Sequence, residues 1–177
     1  MMKLQDLVIE TARLRLLPTS ESYAEEIFRE FTPEITIFMH PKSPDKIEDT
    51  LEFIRTAREK MLNNQDLVVV ILDKFSKEFL GHGGLHGIHK DTPEIGIWIK
   101  KSAHGKKYGR EAVVALKGWA DKNLIYKYLR YPVDKRNVPS RKIAESLGGE
   151  IKKEYKKMNM AGKELDEVEY HIYPQNK

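Results

Sequence analysis

The sequence contains no cysteine among its 177 residues. This absence excludes disulfide bonds, a thiolate nucleophile and any zinc site with cysteine ligands. No apolar run approaches 18 residues, and the opening residues MMKLQDLVIE lack the apolar stretch of a secretion signal. We therefore expect no contact with a membrane and a cytoplasmic location. Linkers, repeats and low-complexity stretches are also missing, which predicts a single domain over residues 1–177.

A large excess of one charge is missing as well. Lys and Arg number 31 against 27 Asp and Glu, for a net charge of +4. This excess suits an anionic ligand but falls short of the basic surface that nucleic-acid binding requires. The Lys-rich segment 152–157 has a local partner in the acidic strand predicted beside it. We therefore expect no nucleic-acid partner.

Hydrophobic periodicity predicts a chain that mixes strands and helices. A strand that ends at Pro18 precedes a helix over 20–31, and Ser43 as N-cap with Pro44 begins a second helix over 44–62. The remaining strands are predicted over residues 67–72, 79–88, 94–100, 128–133, 150–160 and 165–173. A last short helix over 138–147 is capped by Asn137 and ended by a Gly-Gly pair.

The joint between strand 94–100 and the following helix contains two glycines and several cations. The helix is expected to bury Ala112, Val113, Leu116 and Trp119 and to expose Lys117 and Asp121. Unpaired N–H groups at such a strand-to-helix turn commonly bind phosphate. The joint has neither the GxxxxGK[ST] nor the GxGxxG pattern, so an anion other than a nucleotide is favoured. An ordinary turn flanked by surface lysines is the alternative.

Three histidines at short spacing raise the question of a metal site. On a strand, His82 and His86 share one face and His89 lies on the other, and no cysteine or fixed carboxylate accompanies them. We therefore expect no metal. Pro132 indicates an interruption in the predicted sheet, because a proline inside a central strand cannot donate a ladder hydrogen bond. The neighbouring strand on that side should be absent or displaced.

Four segments occur in a characteristic order: ETARLRLLP, FLGHGGLHGI, EIGIWIKKSAHGKKYGREAV and DKRNVPSRKIAESLGGE. Together they resemble the GNAT superfamily of acetyl-coenzyme-A-dependent N-acetyltransferases, and within it the RimJ/RimL-like branch. The resemblance covers nearly the whole chain. It implies an α/β (α+β) fold with a mixed sheet of about seven strands, two splayed parallel strands in its middle, and about four flanking helices.

The resemblance also assigns residues to acetyl-CoA. The family's pyrophosphate loop, [Q/R]-x-x-G-x-[G/A], corresponds to residues 104–109, where His104 replaces Gln or Arg and Lys107 replaces the first glycine. Lys107 still offers an N–H group if it adopts the required dihedral angles. The implied contacts to the cofactor are Ile97, Trp98, Ile99, His104, Gly105, Lys106, Lys107, Tyr108, Gly109, Arg110, Asn137 and Ser140.

For catalysis, the family uses direct attack of a neutral amine on the thioester, which needs a base and an acid. Glu94 is the candidate base, or else a solvated carboxylate at a strand end. The tyrosine that many members use as the acid has no counterpart, because Ala144 stands there, and Ser140 is a substitute. His82 and His86 are expected in the acceptor pocket.

The implied acceptor is a primary amine, either a protein N-terminus or a small molecule, and no metal takes part. A non-catalytic acyl-CoA-binding module with the same fold is the alternative function, since Lys107 departs from the loop pattern and the helix lacks its tyrosine. The oligomeric state stays open, with a homodimer as one option.

Overall fold

Eight strands form one mixed sheet in the computed structural model, which describes residues 3–175. The strands are β1 (Ile9–Glu10), β2 (Leu14–Pro18), β3 (Asp66–Asp73), β4 (Phe79–His86), β5 (Glu94–Ile99), β6 (Leu129–Asp134), β7 (Glu150–Met158) and β8 (Glu164–Ile172). The helices are α1 (Ala24–Glu30), α2 (Ile47–Leu62), α3 (Tyr108–Asn123) and α4 (Val138–Ser146). The order across the sheet is β1-β2-β3-β4-β5-β6-β8-β7.

Helices cover both faces of this sheet, which explains why β3 is apolar along nearly its whole length. Its residues Val70 and Leu72 pack with Ile54 of α2, on the face that also carries α1. Residues Val69 and Ile71 point the other way and belong to the larger core, which contains α3. The α1/α2 face and the α3/α4 face are therefore distinct surfaces of one sheet.

The sheet opens in its middle, where β5 and β6 run parallel. Their ladder is limited to Glu94 beside Arg130, whose N–H donates to the Pro93 carbonyl over 2.8 Å. Two residues further along β6, Pro132 presents the same edge without an N–H group. The displaced neighbour predicted from Pro132 is thus confirmed. The predicted fold class is confirmed too, with the two-residue β1 added to the expected seven strands.

Two local predictions were wrong. Helix α2 begins at Ile47, because the Asp49 carboxylate accepts hydrogen bonds from the N–H groups of Asp45 and Lys46, at 3.1 and 3.2 Å, and fixes the start there rather than at Ser43. Lys117 is buried rather than exposed. Its ammonium pairs with the Asp121 carboxylate one helical turn later, at 2.7 Å, which compensates the burial of the charge.

The carboxyl-terminal elements follow the sequence closely. The Asn137 side chain accepts a hydrogen bond from the Ser140 N–H and caps α4, and Gly148 ends that helix region with a φ of +73°. Strands β7 and β8 form the predicted hairpin around Gly162, and cross-strand ion pairs such as Lys156 with Glu164 link them. No helix in the described part of the chain is both long and apolar enough to cross a bilayer.

Candidate active site

A cavity of about 680 Å³ lies where β5 and β6 separate. Its walls include His82 and Trp98 on the α1/α2 face, and Tyr131 and Ser140 on the α3/α4 face. The cavity therefore reaches both faces of the sheet through the gap between the two strands. The segment 38–45 borders it on the α1/α2 side.

Backbone groups of β5 are directed into this gap. The Lys100 N–H donates to the Leu80 carbonyl of the β4 side, whereas the Pro93 carbonyl accepts from β6. Because N–H and C=O directions alternate along a strand, Ile97 and Ile99 present their polar backbone groups toward the gap. Trp98, the third residue predicted on this edge, faces β4 with its backbone and extends its side chain over the α1/α2 face.

The turn after β5 exposes a cluster of N–H groups. Gly105 has a φ of +78° and Lys107 a φ of +63°, so the chain curls through two left-handed residues before α3 begins. Within residues 3–175, the backbone N–H groups of residues 105–110 have no hydrogen-bond acceptor. They converge at the amino-terminal end of α3, where the helix dipole adds positive potential, and form a site that suits a phosphate group.

Lys107 adopts a backbone conformation that favours glycine. Its φ of +63° and ψ of 17° lie in the left-handed region, which is costly for a residue with a Cβ atom. In this conformation Lys107 keeps its N–H group in the turn and adds a positive charge. A Cβ atom at Gly109 would lie 3.4 Å from Ile143 of α4 and 3.5 Å from Ile99, both of which are ordinary van der Waals distances, so only a larger side chain would displace its neighbours there.

The His104 side chain connects this turn to β5. Its Nε2 atom lies 2.7 Å from the Ile99 carbonyl oxygen, and because a carbonyl only accepts, Nε2 carries the proton. His104, which stands where the family has Gln or Arg, therefore holds the turn against the end of β5.

A second contact to the turn comes from the other end of the sheet. The Arg13 guanidinium donates to the Lys106 carbonyl over 3.1 Å, stacks 4.6 Å from the Tyr108 ring centre, and pairs with Glu111. Glu111 accepts hydrogen bonds from the Arg13 side chain, the Arg13 N–H and the Thr11 hydroxyl. Burial alone would raise the pKa of Glu111, but these hydrogen bonds outweigh it and hold the pKa below its ordinary value.

Opposite the turn, a hydroxyl pair faces the cavity. The Tyr131 hydroxyl and Ser140 Oγ lie 2.8 Å apart, and burial raises the pKa of Tyr131 to about 12. Tyr131 escaped prediction from the sequence because the family's tyrosine is expected on α4, where the buried Ala144 stands. Strand alternation was the available signal, because it places Tyr131 on the α3/α4 face. Asn137 also lines the cavity, where its side-chain oxygen caps α4.

Glu94 lines the cavity with 39% of its side chain exposed. The Arg130 guanidinium lies 3.4 Å from its carboxylate and donates two hydrogen bonds to the buried Glu169, at 2.8 and 3.0 Å. Burial would raise the pKa of Glu169, but Arg130 and His171 lower it to about 2. Glu169 therefore stays ionised and holds Arg130 in place. Arg130 in turn positions Glu94 through a long ion pair.

His82 and His86 both line the cavity. His82 is buried, with Nε2 3.4 Å from the Thr19 hydroxyl, and burial, assisted by His86, lowers its pKa to about 3. It is neutral at physiological pH. His86 contacts the Asp66 carboxylate at 3.1 Å, and His89 lies outside the cavity walls. Among residues 3–175, no three acidic or imidazole side chains cluster closely enough to hold a metal ion.

The family model described as acetyltransferase (GNAT) domain matches residues 13–150. The chain belongs to this GNAT acetyltransferase family. The matched range contains β5, the 104–109 turn, α3 and α4, which are the elements that form the gap and the N–H cluster. No curated protein matches the sequence.

Solved structures share the fold of this GNAT chain at low sequence identity. A GNAT-family acetyltransferase from Bacillus anthracis is 19% identical, with a TM-score of 0.80 over 96% of this chain and 100% of that one. Spermidine N-acetyltransferase from Vibrio cholerae, in complex with CoA and spermine, is 16% identical, with a TM-score of 0.79 over 93% and 97%. RimL, a ribosomal L7/L12 α-N-protein acetyltransferase in complex with CoA, is 14% identical, with a TM-score of 0.81 over 94% and 98%.

The left-handed Lys107 gives a first prediction. The free energy of unfolding of Lys107→Gly should be roughly 1 kcal/mol higher than that of Lys107→Ala, because only glycine avoids the Cβ clash at positive φ. Both variants lack the lysine charge, so their difference isolates the backbone term. Urea denaturation monitored by fluorescence measures it. Equal stability of the two variants would show that residue 107 is not left-handed in solution.

The Glu111 contacts predict a pH-dependent loss of stability. A carboxyl whose pKa is lowered by folding contributes stability above its unfolded pKa, near 4.5, and loses it as the pH falls through the folded value. Glu111→Gln should therefore lower the free energy of unfolding by about 2 kcal/mol at pH 7. The difference between wild type and variant should shrink below pH 4.5, in denaturation curves recorded from pH 7 to pH 3. A difference that stays constant with pH would contradict this role.

Proposed function

We propose that this protein transfers an acetyl group from acetyl-CoA to a primary amine by direct attack of the neutral amine on the thioester. One observation carries the proposal: the N–H groups of residues 105–110, which find no acceptor among the described residues 3–175, lie at the end of β5, the same strand whose edge is unpaired there at the gap. A ligand with a phosphate group and an extended amide-bearing arm fits both features at once. Acetyl-CoA has this form.

Specific residues are proposed to hold acetyl-CoA. The N–H groups of residues 105–110 would bind the pyrophosphate, with Lys106, Lys107 and Arg110 adding positive charge. The backbone of Ile97 and Ile99 would pair with the amides of the pantetheine arm, as a strand pairs with an added strand. Asn137 would contribute its side-chain NH₂, since its side-chain oxygen already caps α4.

Two groups at the cavity are proposed for proton transfer. Glu94 would accept the proton of the incoming ammonium, because it is the carboxylate on the β5 wall and is only weakly held, 3.4 Å from Arg130. Ser140 would donate a proton to the departing thiolate and recover one from the attacking nitrogen, which loses its second proton as the amide forms. Tyr131 would position the Ser140 hydroxyl and, with a pKa of about 12, stay protonated at neutral pH.

Two observations favour catalysis over the non-catalytic alternative. Lys107 keeps its N–H group in the turn by adopting a left-handed conformation, and Tyr131 places a tyrosine hydroxyl beside Ser140 although α4 itself has no tyrosine. We assign the protein to the RimJ/RimL-like branch on the four sequence segments, and the RimL structure shares its fold. A protein N-terminus or a small amine as acceptor, a cytoplasmic location and a homodimer remain predictions.

Variants of the two proton-transfer residues test this function. Glu94→Gln and Ser140→Ala should each lower kcat by about 10² to 10⁴ because each removes a general acid or base. Both variants should bind acetyl-CoA within about twofold of wild type, since neither change alters the N–H cluster. Glu52→Gln, an exposed carboxylate on α2 outside the cavity walls, is the matched control and should keep full activity.

Acetylated product is quantified by mass spectrometry, and acetyl-CoA binding by calorimetry. A wild-type protein that binds acetyl-CoA but acetylates no amine would overturn the enzymatic proposal. Unchanged kcat in Glu94→Gln would overturn only the assignment of the base.

A further inference from the structure

The wall of the cavity on the α1/α2 face is a continuous arc of aromatic side chains. Phe31 packs on Trp98 with ring centres 4.8 Å apart, Trp98 stacks on His82 at 6.2 Å, and Phe53 meets the His82 ring edge-on at 5.4 Å. Phe53 is 45% exposed, which leaves much of its ring available to a ligand. All four residues line the cavity. The arc carries no charge at neutral pH, because burial keeps His82 in its neutral form.

Acidic groups at this cavity are already engaged on its outer rim. The Asp45 carboxylate pairs with Lys42 at 2.5 Å. The Asp49 carboxylate accepts from two backbone N–H groups at the start of α2. Neither carboxylate is left as an unpaired anion that would attract a second positive charge of a substrate.

The two remaining acidic residues of the cavity walls each lie near a cation, which Glu94 contacts only weakly. Glu94 faces Arg130 at 3.4 Å, and the buried Glu167 has the Lys157 ammonium 3.0 Å from its Oε2 atom, although no hydrogen bond from the described residues reaches that atom. Each of the four carboxylates of the walls therefore has a cation or backbone donors close to it. A polyamine or a lysine-like acceptor carries at least two ammonium groups and would need an uncommitted carboxylate to hold the one that does not react.

We infer that the acceptor is a primary amine carried on an aromatic or large apolar group, which packs against Phe31, Phe53 and Trp98 while the amine reaches Glu94. This inference rests on the proposed acetyl transfer and specifies its substrate. The apolar group gains free energy by leaving water and by ring contacts with the arc. An arylalkylamine and a peptide with an amino-terminal aromatic residue share this chemistry.

An acceptor panel tests the inference with the full chain and acetyl-CoA. The panel comprises 2-phenylethylamine, phenylalanine amide, a peptide with amino-terminal Phe, spermidine and lysine. We expect kcat/KM for at least one of the first three to exceed that for spermidine and lysine by about tenfold or more. The free amines and the peptide distinguish a small-molecule substrate from a protein N-terminus.

The failures of the two proposals are distinguishable. Efficient acetylation of spermidine or lysine with poor use of the aromatic amines would overturn the inference and leave the acetyl transfer standing. Absence of both acetyl-CoA binding and turnover would overturn the transfer itself, and the inference with it.

A charge substitution at Phe53 tests the same inference in a way that depends less on which amines the panel contains. Phe53→Glu should lower kcat/KM for the best aromatic amine by about tenfold or more, because it removes part of the aromatic wall. It should raise kcat/KM for cadaverine, because it adds a carboxylate that is free to bind the second ammonium group. Phe53→Leu, which keeps an apolar side chain, should retain most of the activity. The matched control is Phe75→Glu, at a 77% exposed phenylalanine in the β3–β4 turn, which should change neither rate. A Phe53→Glu variant that keeps the preference for aromatic amines would overturn the inference.

Discussion

The interruption of the ladder between β5 and β6 is the constraint on which the rest of the structure depends. A closed ladder would satisfy the backbone of Ile97 and Ile99 and would fill the middle of the sheet. Pro132 prevents this closure, because it removes the N–H group that would continue the pairing begun at Arg130. The β6–β8 ladder on the other edge continues past Pro132, so the strand stays in the sheet while one side remains open. The cavity is the space left by this arrangement.

An opening in the sheet is useful only if the groups around it are held in place. Several contacts fix the 104–109 turn: His104 holds it to the end of β5, and Arg13 with Glu111 holds it to the start of β2. On the other side of the gap, Tyr131 fixes the hydroxyl of Ser140. The N–H groups of the turn can therefore be directed toward a ligand without reorganisation, which lowers the free-energy cost of binding.

The fold could be predicted from the sequence because its elements are strongly patterned. Apolar strands, helical periodicity and the Asn137 and Gly148 signals each act over a few residues, and the structure has them within a few positions of the predicted bounds. The start of α2 escaped prediction because two capping signals compete there, and the Asp49 carboxylate prevails over Ser43. The burial of Lys117 depends on its ion pair with Asp121. Helical periodicity places the two residues on one side of α3 but does not show that this pair is strong enough to bury the lysine.

The 104–109 turn, where we propose that the cofactor binds, could be singled out from its motif, whereas the aromatic wall of the cavity could not. Tyr131 becomes relevant only when β6 and α4 are placed side by side, and the aromatic arc joins residues from α1, α2, β4 and β5 that are distant in sequence. No local pattern encodes such a surface, since each of its residues also fits an ordinary core position.

The most direct test of the central claim is calorimetric titration of the purified protein with acetyl-CoA, alongside a Gly109→Trp variant. Gly109 sits within 3.5 Å of Ile99 and Ile143 as measured from an added Cβ atom, so an indole there would obstruct the turn. The account predicts micromolar binding by the wild type that is lost in a folded Gly109→Trp protein. Absence of binding by the folded wild type, or equal binding by both proteins, would contradict a cofactor site at the 104–109 turn.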